Sequence, residues 1–323
     1  MATVFAYIAH AGGRADDSAL ELLAAVRTLF PGADPVALVA GSGPSLEAAC
    51  QEAAASFAEV WKFDQEALAY PNAELLRPLL ARVLPPGALV LLPHSTLGMD
   101  LGPGLAVKLG AAYLPDVVGG SPLEGTSLQA VRQEFSGQVS AHVACDVSGG
   151  AVVTLRSGAF KAEPSRSAGG RVVDRSADAG GLSARRRFVK LVQAEAGDID
   201  ITREDVLVSV GRGIGDKENI ALVEELAEAM GAALCCSRPI VDAKWLEKPR
   251  QVGTSGQTVK PKVYLALGIS GSFQHLGGIK GSPFLVAVNK NPKAPIFQAA
   301  SVGIVADLLE LVPALTEAIQ KGK

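Results

Sequence analysis

Short apolar runs alternate with stretches whose apolar residues recur at helical spacing through the first third of the chain. Residues 4–8 (VFAYI) form one such run and end in the polar turn His10-Ala11-Gly12-Gly13. Asp16, Asp17 and Ser18 then offer helix caps ahead of Leu20, Leu23, Val26 and Leu29, and Pro31-Gly32 supplies the stop. The rhythm repeats with a strand at 36–40 and a helix capped by Ser45 and carrying Leu46, Ala49 and Ala53. A strand at 60–63, a helix from Asn72 through Leu75, Leu79 and Val83, and a strand at 88–92 follow. A further helix over 101–109 must accommodate Gly102 and Pro103, both of which weaken it. Continuous apolar strands alternating with helices predict a parallel sheet covered on both faces.

The rhythm changes after Tyr113. Residues 131–135, 138–145 and 151–155 show β-type patterning between glycine-containing turns, which predicts antiparallel hairpins added to the sheet. Residues 163–181 are rich in Ser, Gly, Ala and Arg and suit a flexible linker, with a short strand possible at 171–174. A basic run at 185–192 turns into a strand-like segment. Strand and helix alternation then resumes. A β-branched run at 206–210 precedes an amphipathic helix over 219–230, and strands are expected at 232–236, 263–267, 284–288 and 299–305. A C-terminal helix carries Leu308, Leu309, Val312 and Leu315.

A length of 323 residues suits about two domains. With 48% hydrophobic residues but only 5% aromatic, their cores should be aliphatic and alanine-rich. A net charge of −3 gives no reason to expect a nucleic acid or an anionic membrane as partner. The Arg185-Arg186-Arg187 run has no interleaved aromatics and reads as a solvated face. No Cys-x-x-Cys pair occurs, and the adjacent Cys235-Cys236 suits neither a metal nor an unstrained disulfide, so a reducing compartment and no metal site are expected. No apolar run approaches the ~18 residues of a membrane span, and the first residues lack the basic and apolar regions of a secretory signal. A cytoplasmic protein, or a mature matrix form, is the expectation.

The chemistry concentrates in the second half. The strand at 263–267 delivers the chain into GISGSFQHLGGI (residues 268–279), where small residues expose backbone N–H groups and two hydroxyls, as a pocket for an anionic ligand requires. His275 lies at its far edge, where it could donate to a ring carbonyl. Gly211-Arg212-Gly213-Ile214-Gly215 likewise joins a strand to a helix and places Arg212 to meet a diphosphate, although its spacing is not that of a dinucleotide fingerprint. Ser237-Arg238-Pro239 and the small-residue turn Gln251-Val252-Gly253-Thr254-Ser255-Gly256 are further strand-end or turn candidates, as is Asn289. Asp307 is either a helix cap or a carboxylate for an adenosine hydroxyl. His94-Ser95-Thr96 is either a nucleotide cleft at a strand end or a hydroxyl-capped loop; His10 and His142 are expected to be structural.

Six blocks over about 110 residues carry a resemblance: Val210-Gly211-Arg212-Gly213; Ser237-Arg238-Pro239-Ile240-Val241-Asp242; Gln251-Val252-Gly253; Gly268-Ile269-Ser270-Gly271 with Gln274-His275-Leu276; Ala287-Val288-Asn289-Lys290; and Ala294-Pro295-Ile296-Phe297 with Val305-Ala306-Asp307. In order and spacing the chain resembles the alpha subunits of electron-transfer flavoproteins of bacterial type. The resemblance implies an α/β protein of two domains. Residues 1–193 would form a parallel-sheet, nucleotide-hydrolase-like domain with added hairpins that contributes to heterodimer assembly. Residues 194–323 would form a Rossmann-like FAD-binding domain. A separate beta subunit would hold AMP, or a second FAD in electron-bifurcating systems. Donors would be flavin dehydrogenases such as acyl-CoA dehydrogenases; the acceptor would be a quinone oxidoreductase or a ferredoxin-linked protein.

Carried over by position, Arg212 belongs at the FAD diphosphate and Ser237 and Arg238 at the isoalloxazine. Gln251, Val252, Gly253 and Thr254 surround Ser255, which offers a hydroxyl to flavin N5. Gly268, Ser270, Gly271, Ser272, Phe273, Gln274 and His275 wrap the pyrophosphate, ribityl chain and pyrimidine, with His275 near the C2 carbonyl. Asn289 and Asp307 hold the adenosine end, and Leu308 is counted with them as cofactor-binding. Thr254-Ser255 replaces the Gln-Thr frequent in the family, and Asn291 stands where Asp is frequent. Arg238 and His275 would supply positive charge or donors beside the ring without a nucleophile or proton-abstracting base, which fits an electron carrier better than a substrate-transforming enzyme. An NAD-dependent oxidoreductase would need Gly-x-Gly-x-x-Gly with an acidic residue about 20 positions on. A Ser/His hydrolase would need a Gly-x-Ser-x-Gly elbow, which residues 268–271 do not make. A redox-silent nucleotide-binding module is the remaining alternative.

Overall fold

The computed structural model describes residues 3–135, 139–162, 169–190, 200–281 and 283–322. The chain divides into two compact units, Met1–Val189 and Lys190–Lys323.

The first unit opens with β1 (Val4–Tyr7), a small ribbon of β2 (His10–Ala11) and β3 (Arg14–Ala15), and α1 (Ser18–Leu29). There follow β4 (Val36–Gly41), α2 (Gly43–Ala54), β5 (Glu59–Asp64), α3 (Ala73–Val83), β6 (Leu89–Pro93) and α4 (Thr96–Leu109). After them come β7 (Ala112–Gly120), β8 (Ser127–Glu134), β9 (Val139–Asp146), β10 (Ala151–Leu155) and β11 (Arg171–Asp174). Their sheet has the order β11-β5-β4-β1-β6-β10-β7-β8-β9. It is parallel from β11 to β7, and β7, β8 and β9 pair antiparallel. The two-residue period of β1 sends Val4 and Ala6 into a core shared with α1 and α2, and Phe5 and Tyr7 into one shared with α3 and α4.

Several sequence expectations change here. Residues 151–155 form no hairpin: β10 lies parallel between β6 and β7, with all five residues buried. Its unbroken apolar run is what a strand covered on both faces requires. β7 was not expected, because Pro115, Asp116 and Gly119-Gly120 punctuate it; the register slips beside Asp116, which adopts φ 56°. Helix α4 starts at Thr96 rather than at 101, since Ser95 caps it by accepting from the Gly98 N–H at 3.2 Å. Ser45 caps nothing and lies inside the first turn of α2. Residues 185–190 form no strand: Glu74 Oε2 accepts the backbone N–H groups of Arg185 (2.7 Å) and Arg186 (2.9 Å) and holds the segment on α3. Of the linker expected at 163–181, residues 163–168 lie outside the described residues, as do 191–192 and position 138; β11 and a 3-10 turn at Ser176–Ala179 occupy much of the remainder.

The second unit contains β12 (Val206–Val210), α5 (Ile220–Met230), β13 (Ala233–Cys236) and the short α6 (Arg238–Asp242). Then come β14 (Val263–Leu267), α7 (Phe273–Leu276), β15 (Phe284–Val288), α8 (Ile296–Ala299), β16 (Val302–Ile304) and α9 (Leu308–Lys321). The sheet is parallel throughout, in the order β13-β12-β14-β15-β16. One face packs Val208, Val210, Leu265 and Leu267 against α5 and α9. The other face presents Leu207, Cys235, Tyr264 and Ala266 to the mostly irregular segments 251–262 and 268–281. Strand order reverses between β12 and β14, and the crevice beyond the carboxyl ends of such strands is where open α/β sheets bind ligands.

The cap on α3 gives a stability prediction. Asn72 accepts the Glu74 N–H at 3.0 Å, so Asn72→Ala should lower the unfolding free energy of the first unit by about 1 kcal/mol, and Asn72→Asp should retain most of it. Urea denaturation checks this; equal midpoints for wild type and Asn72→Ala would contradict it.

Candidate functional site

The glycine turns after β12 and β14 touch. Gly211 N–H donates to the Leu267 carbonyl at 2.8 Å and Gly213 N–H to the Gly268 carbonyl at 3.0 Å. A Cβ on Gly213 would lie 2.7 Å from Gly268 Cα, and one on Gly268 would lie 2.8 Å from Gly213 Cα. Gly268 also adopts φ 65°. Only glycine meets both demands there, so both turns remain at strand level and their side chains and N–H groups border a common space.

That space is a cleft of about 610 Å³ at the carboxyl ends of β12 to β15, within the size range of small-ligand and cofactor sites. Arg212 comes from the first turn, and Ser237 and Arg238 from the end of β13, where Pro239 in the first turn of α6 fixes the helix start. Gln251, Val252, Gly253, Thr254 and Ser255 form a second wall. Gly268, Ser270, Ser272, Gln274 and His275 form a third, and Asn289 stands beyond β15. These fourteen residues, expected as one site from six separate blocks, line a single cleft.

Four expected residues do not line it. Gly271 sits where a Cβ would strike the Ile296 backbone, and Phe273 points partly to solvent. Asp307 caps α9 by accepting the Leu309 N–H at 2.8 Å. Leu308 is buried, and its Cδ1 lies 2.9 Å from where a Gly268 Cβ would be. Two polar lining residues were overlooked. Asp242 follows Arg238 by one helical turn and pairs with it, Nε to Oδ2 at 3.3 Å; a proline after Arg238 is a helix-start signal from which this i,i+4 partner was predictable. Lys290, next to Asn289, is the other. In the first unit, His94-Ser95-Thr96 takes the capped-loop alternative: His94 Nδ1 lies 2.8 Å from Thr154 Oγ1, and Asp116 is held by Arg156.

Hydrogen bonds within the walls fix which groups are presented. Gln251 Nε2 donates to Ser255 Oγ at 2.9 Å, so the Ser255 hydroxyl proton remains available to an acceptor in the cleft. Thr254 N–H donates to the Gln274 carbonyl at 2.8 Å, tying the second wall to the third. Asn289 Nδ2 donates to the Ile269 carbonyl at 3.0 Å, and Asn289 Oδ1 accepts the Asn291 N–H at 2.9 Å.

The positive charge or donor that His275 was expected to supply is not presented to the cleft, because both ring nitrogens are engaged within the protein. The ring is buried; Nδ1 lies 3.1 Å from the Val252 carbonyl and Nε2 lies 2.9 Å from the Tyr264 hydroxyl. A carbonyl oxygen only accepts, so Nδ1 carries the proton and the neutral ring accepts from Tyr264 through Nε2. Burial lowers the pKa to about 4, against the opposing effect of the Val252 carbonyl. The depressed value sets the sign of the linkage. Stability from the neutral ring is fully present above the ordinary histidine value of about 6.5 and is lost as pH falls from there through about 4, a change on the order of 3 kcal/mol. Chemical denaturation of wild type and His275→Asn across that window should show the wild type losing more stability; parallel profiles would mean that the ring protonates normally.

Comparison with known proteins agrees with this geometry. Residues 200–280 match the electron transfer flavoprotein FAD-binding domain, and residues 4–179 match the electron transfer flavoprotein domain. The electron transfer flavoprotein subunit alpha of Methylophilus methylotrophus is 42% identical over 226 residues, covering 69% of each chain. The subunit alpha of Thermoanaerobacterium thermosaccharolyticum is 36% identical over 72% of this chain and 71% of its own. Protein FixB of Salmonella typhimurium is 40% identical over 73% of this chain and 74% of its own. Two adjoining family domains, in the order in which the two folded units occur, leave one assignment: the chain belongs to the electron transfer flavoprotein alpha-subunit family.

Proposed function

We propose that the cleft holds FAD and that this chain is the alpha subunit of a heterodimeric electron carrier. The observation that carries the reading is the composition of the cleft at the switch point. Three cations (Arg212, Arg238, Lys290), the hydroxyls of Ser237, Thr254, Ser255, Ser270 and Ser272, and glycine turns that leave room for close approach to the backbone converge on one space. That donor set suits a diphosphate joined to a hydrogen-bonding ring system. Its acidic member, Asp242, is tied to Arg238, and both ring nitrogens of its histidine are engaged within the protein, Nδ1 with the Val252 carbonyl and Nε2 with the Tyr264 hydroxyl. A group poised to abstract a proton from an organic substrate is therefore not among the described lining residues, which favours a carrier over a substrate-transforming enzyme.

When bound, FAD would supply reversible electron uptake. Arg212 would neutralise the diphosphate. Ser237 and Arg238 would border the isoalloxazine, with Arg238 countering added negative charge, and Ser255 would donate its free O–H to a ring nitrogen. Asn289, whose amide is already engaged on both sides, would brace the strand end near the adenosine, and Asp307 would act there only through the helix it caps. Residues 1–193 would contribute to assembly with a beta subunit that holds AMP or a second FAD, and residues 194–323 would carry this FAD. Flavin dehydrogenases such as acyl-CoA dehydrogenases would donate, and a quinone oxidoreductase or ferredoxin-linked protein would accept. No helix among the described residues is long and apolar enough to cross a membrane. A cytoplasmic location agrees with the buried, unpaired thiols of Cys50, Cys235 and Cys236.

Two outcomes are expected. Co-expressed with its beta subunit, the chain should copurify as a yellow heterodimer that releases FAD on denaturation; a colourless, redox-silent complex would refute the reading. The flavin count separates a simple carrier from an electron-bifurcating system. Arg238→Gln should lower the flavin midpoint potential by about 60 mV, where about 59 mV is tenfold in a one-electron equilibrium. An unchanged potential would show that the guanidinium does not face the ring.

A further inference from the structure

Residues 251–257 close on themselves beyond the end of β13. Gln251 bridges to Cys236 in parallel register. Its N–H donates to the Lys248 carbonyl at 3.0 Å, and its carbonyl accepts the Gln257 N–H at 2.6 Å. The Gly253 N–H donates to the Gln257 carbonyl at 3.1 Å, and the Gly256 N–H to the Gly253 carbonyl at 2.9 Å. A Cβ on Gly256 would strike the Gln251 carbonyl oxygen and lie 2.9 Å from Gln251 Cγ, so only glycine lets the turn fold back over its own first residue. That return brings Ser255 to the Gln251 side chain. Gln251 is 3% exposed, whereas Ser255 is exposed and lines the cleft. The 2.9 Å contact of Gln251 Nε2 with Ser255 Oγ is the one side-chain hydrogen bond of either residue among the described residues.

We propose that Gln251 is a positioning residue for the cofactor, acting through Ser255: its amide engages the hydroxyl oxygen as an acceptor and leaves the hydroxyl proton to a ring nitrogen of the flavin. The proposal rests on the cleft being the FAD site. A hydroxyl donates and accepts at once, an amide nitrogen only donates, and a ring nitrogen without a proton only accepts. With Nε2 on Oγ all three are satisfied, N–H to oxygen and O–H to nitrogen. With the amide reversed, Ser255 would give its proton to Oε1 and meet the ring nitrogen with a lone pair. The orientation in the structure is therefore the one that a bound acceptor requires.

Burial and backbone bonds fix Gln251 before any ligand arrives, so little ordering is left to be done on binding. The residue before Ser255 is also pinned, since the Thr254 N–H is held by the Gln274 carbonyl of the third wall. A hydroxyl aligned in this way strengthens its bond as negative charge is added to the ring, and so favours the reduced cofactor over the oxidised one. Gln251 contributes to that preference without needing to touch the ring.

The test is a double-mutant cycle on the FAD-loaded heterodimer, read by the flavin midpoint potential. Ser255→Ala should lower the potential by about 59 mV, a tenfold loss in the one-electron equilibrium. Gln251→Met keeps the length of the side chain without its donor. It should cost about threefold to tenfold in the wild-type background and less than about 1.5-fold in Ser255→Ala. A merely structural glutamine would shift the potential equally in both backgrounds. That result, or no shift on Gln251→Met in the wild-type background, would overturn the proposal. With 15N-glutamine in this chain, one side-chain amide should move in Ser255→Ala and be missing in Gln251→Met; if none moves, the bond does not exist. If Gln251→Met does not fold, Gln251→Leu takes its place, and the amide signals in Ser255→Ala, which leaves Gln251 intact, decide independently. A heterodimer without flavin would sink the FAD reading instead, while the amide signals would still be read from the same sample.

Discussion

The site depends on two backbone turns approaching within the space of a single methyl group. Where Gly213 packs on Gly268, any side chain would push the ends of β12 and β14 apart. These strands flank the point at which the sheet order reverses. A ligand seated there meets N–H groups and short hydroxyls instead of bulk, and the cations can close on it from the adjoining turns. The buried Leu308 supports this contact from behind, which links the C-terminal helix to the cleft although it contributes no lining residue.

A second constraint arises on the sheet face that carries no long helix. Residues 251–262 and 268–281 cover it largely as turns, and turns bring backbone polar groups into an apolar core. The bonds from Val252 to Cys236, Gly253 to Gln257, Thr254 to Gln274 and Val259 to Gly278 satisfy many of those groups. The Val252 carbonyl is satisfied by His275, and His275 in turn by Tyr264. The same bonds that allow an irregular segment to be buried also decide which atoms it presents to the cleft.

Much of the architecture was legible because it rests on local pattern. Apolar runs with intervening helical spacing located β1, β4, β5, β6 and the strands of the second unit, and the helix start was placed at Asn72, which the structure shows to be its cap. Pairing was not legible. Residues 151–155 were placed in a hairpin because they followed two hairpin strands, yet their insertion between β6 and β7 satisfies a continuous apolar run better. β7 was hidden by the proline, aspartate and glycines through which it bends.

The site divides in the same way. Sequence by itself determined that glycine turns, hydroxyls and arginines stand at successive strand ends, because a strand–turn–helix rhythm and residue type are properties of short segments. Tertiary structure alone decided that Asp307 is turned to its helix cap, that Leu308 is behind the wall, and that His275 is neutral. Charge on a histidine is set by burial and by the two atoms nearest its nitrogens. Those atoms belong to Val252 and Tyr264, 23 and 11 residues away in the chain, and only folding brings them to the ring.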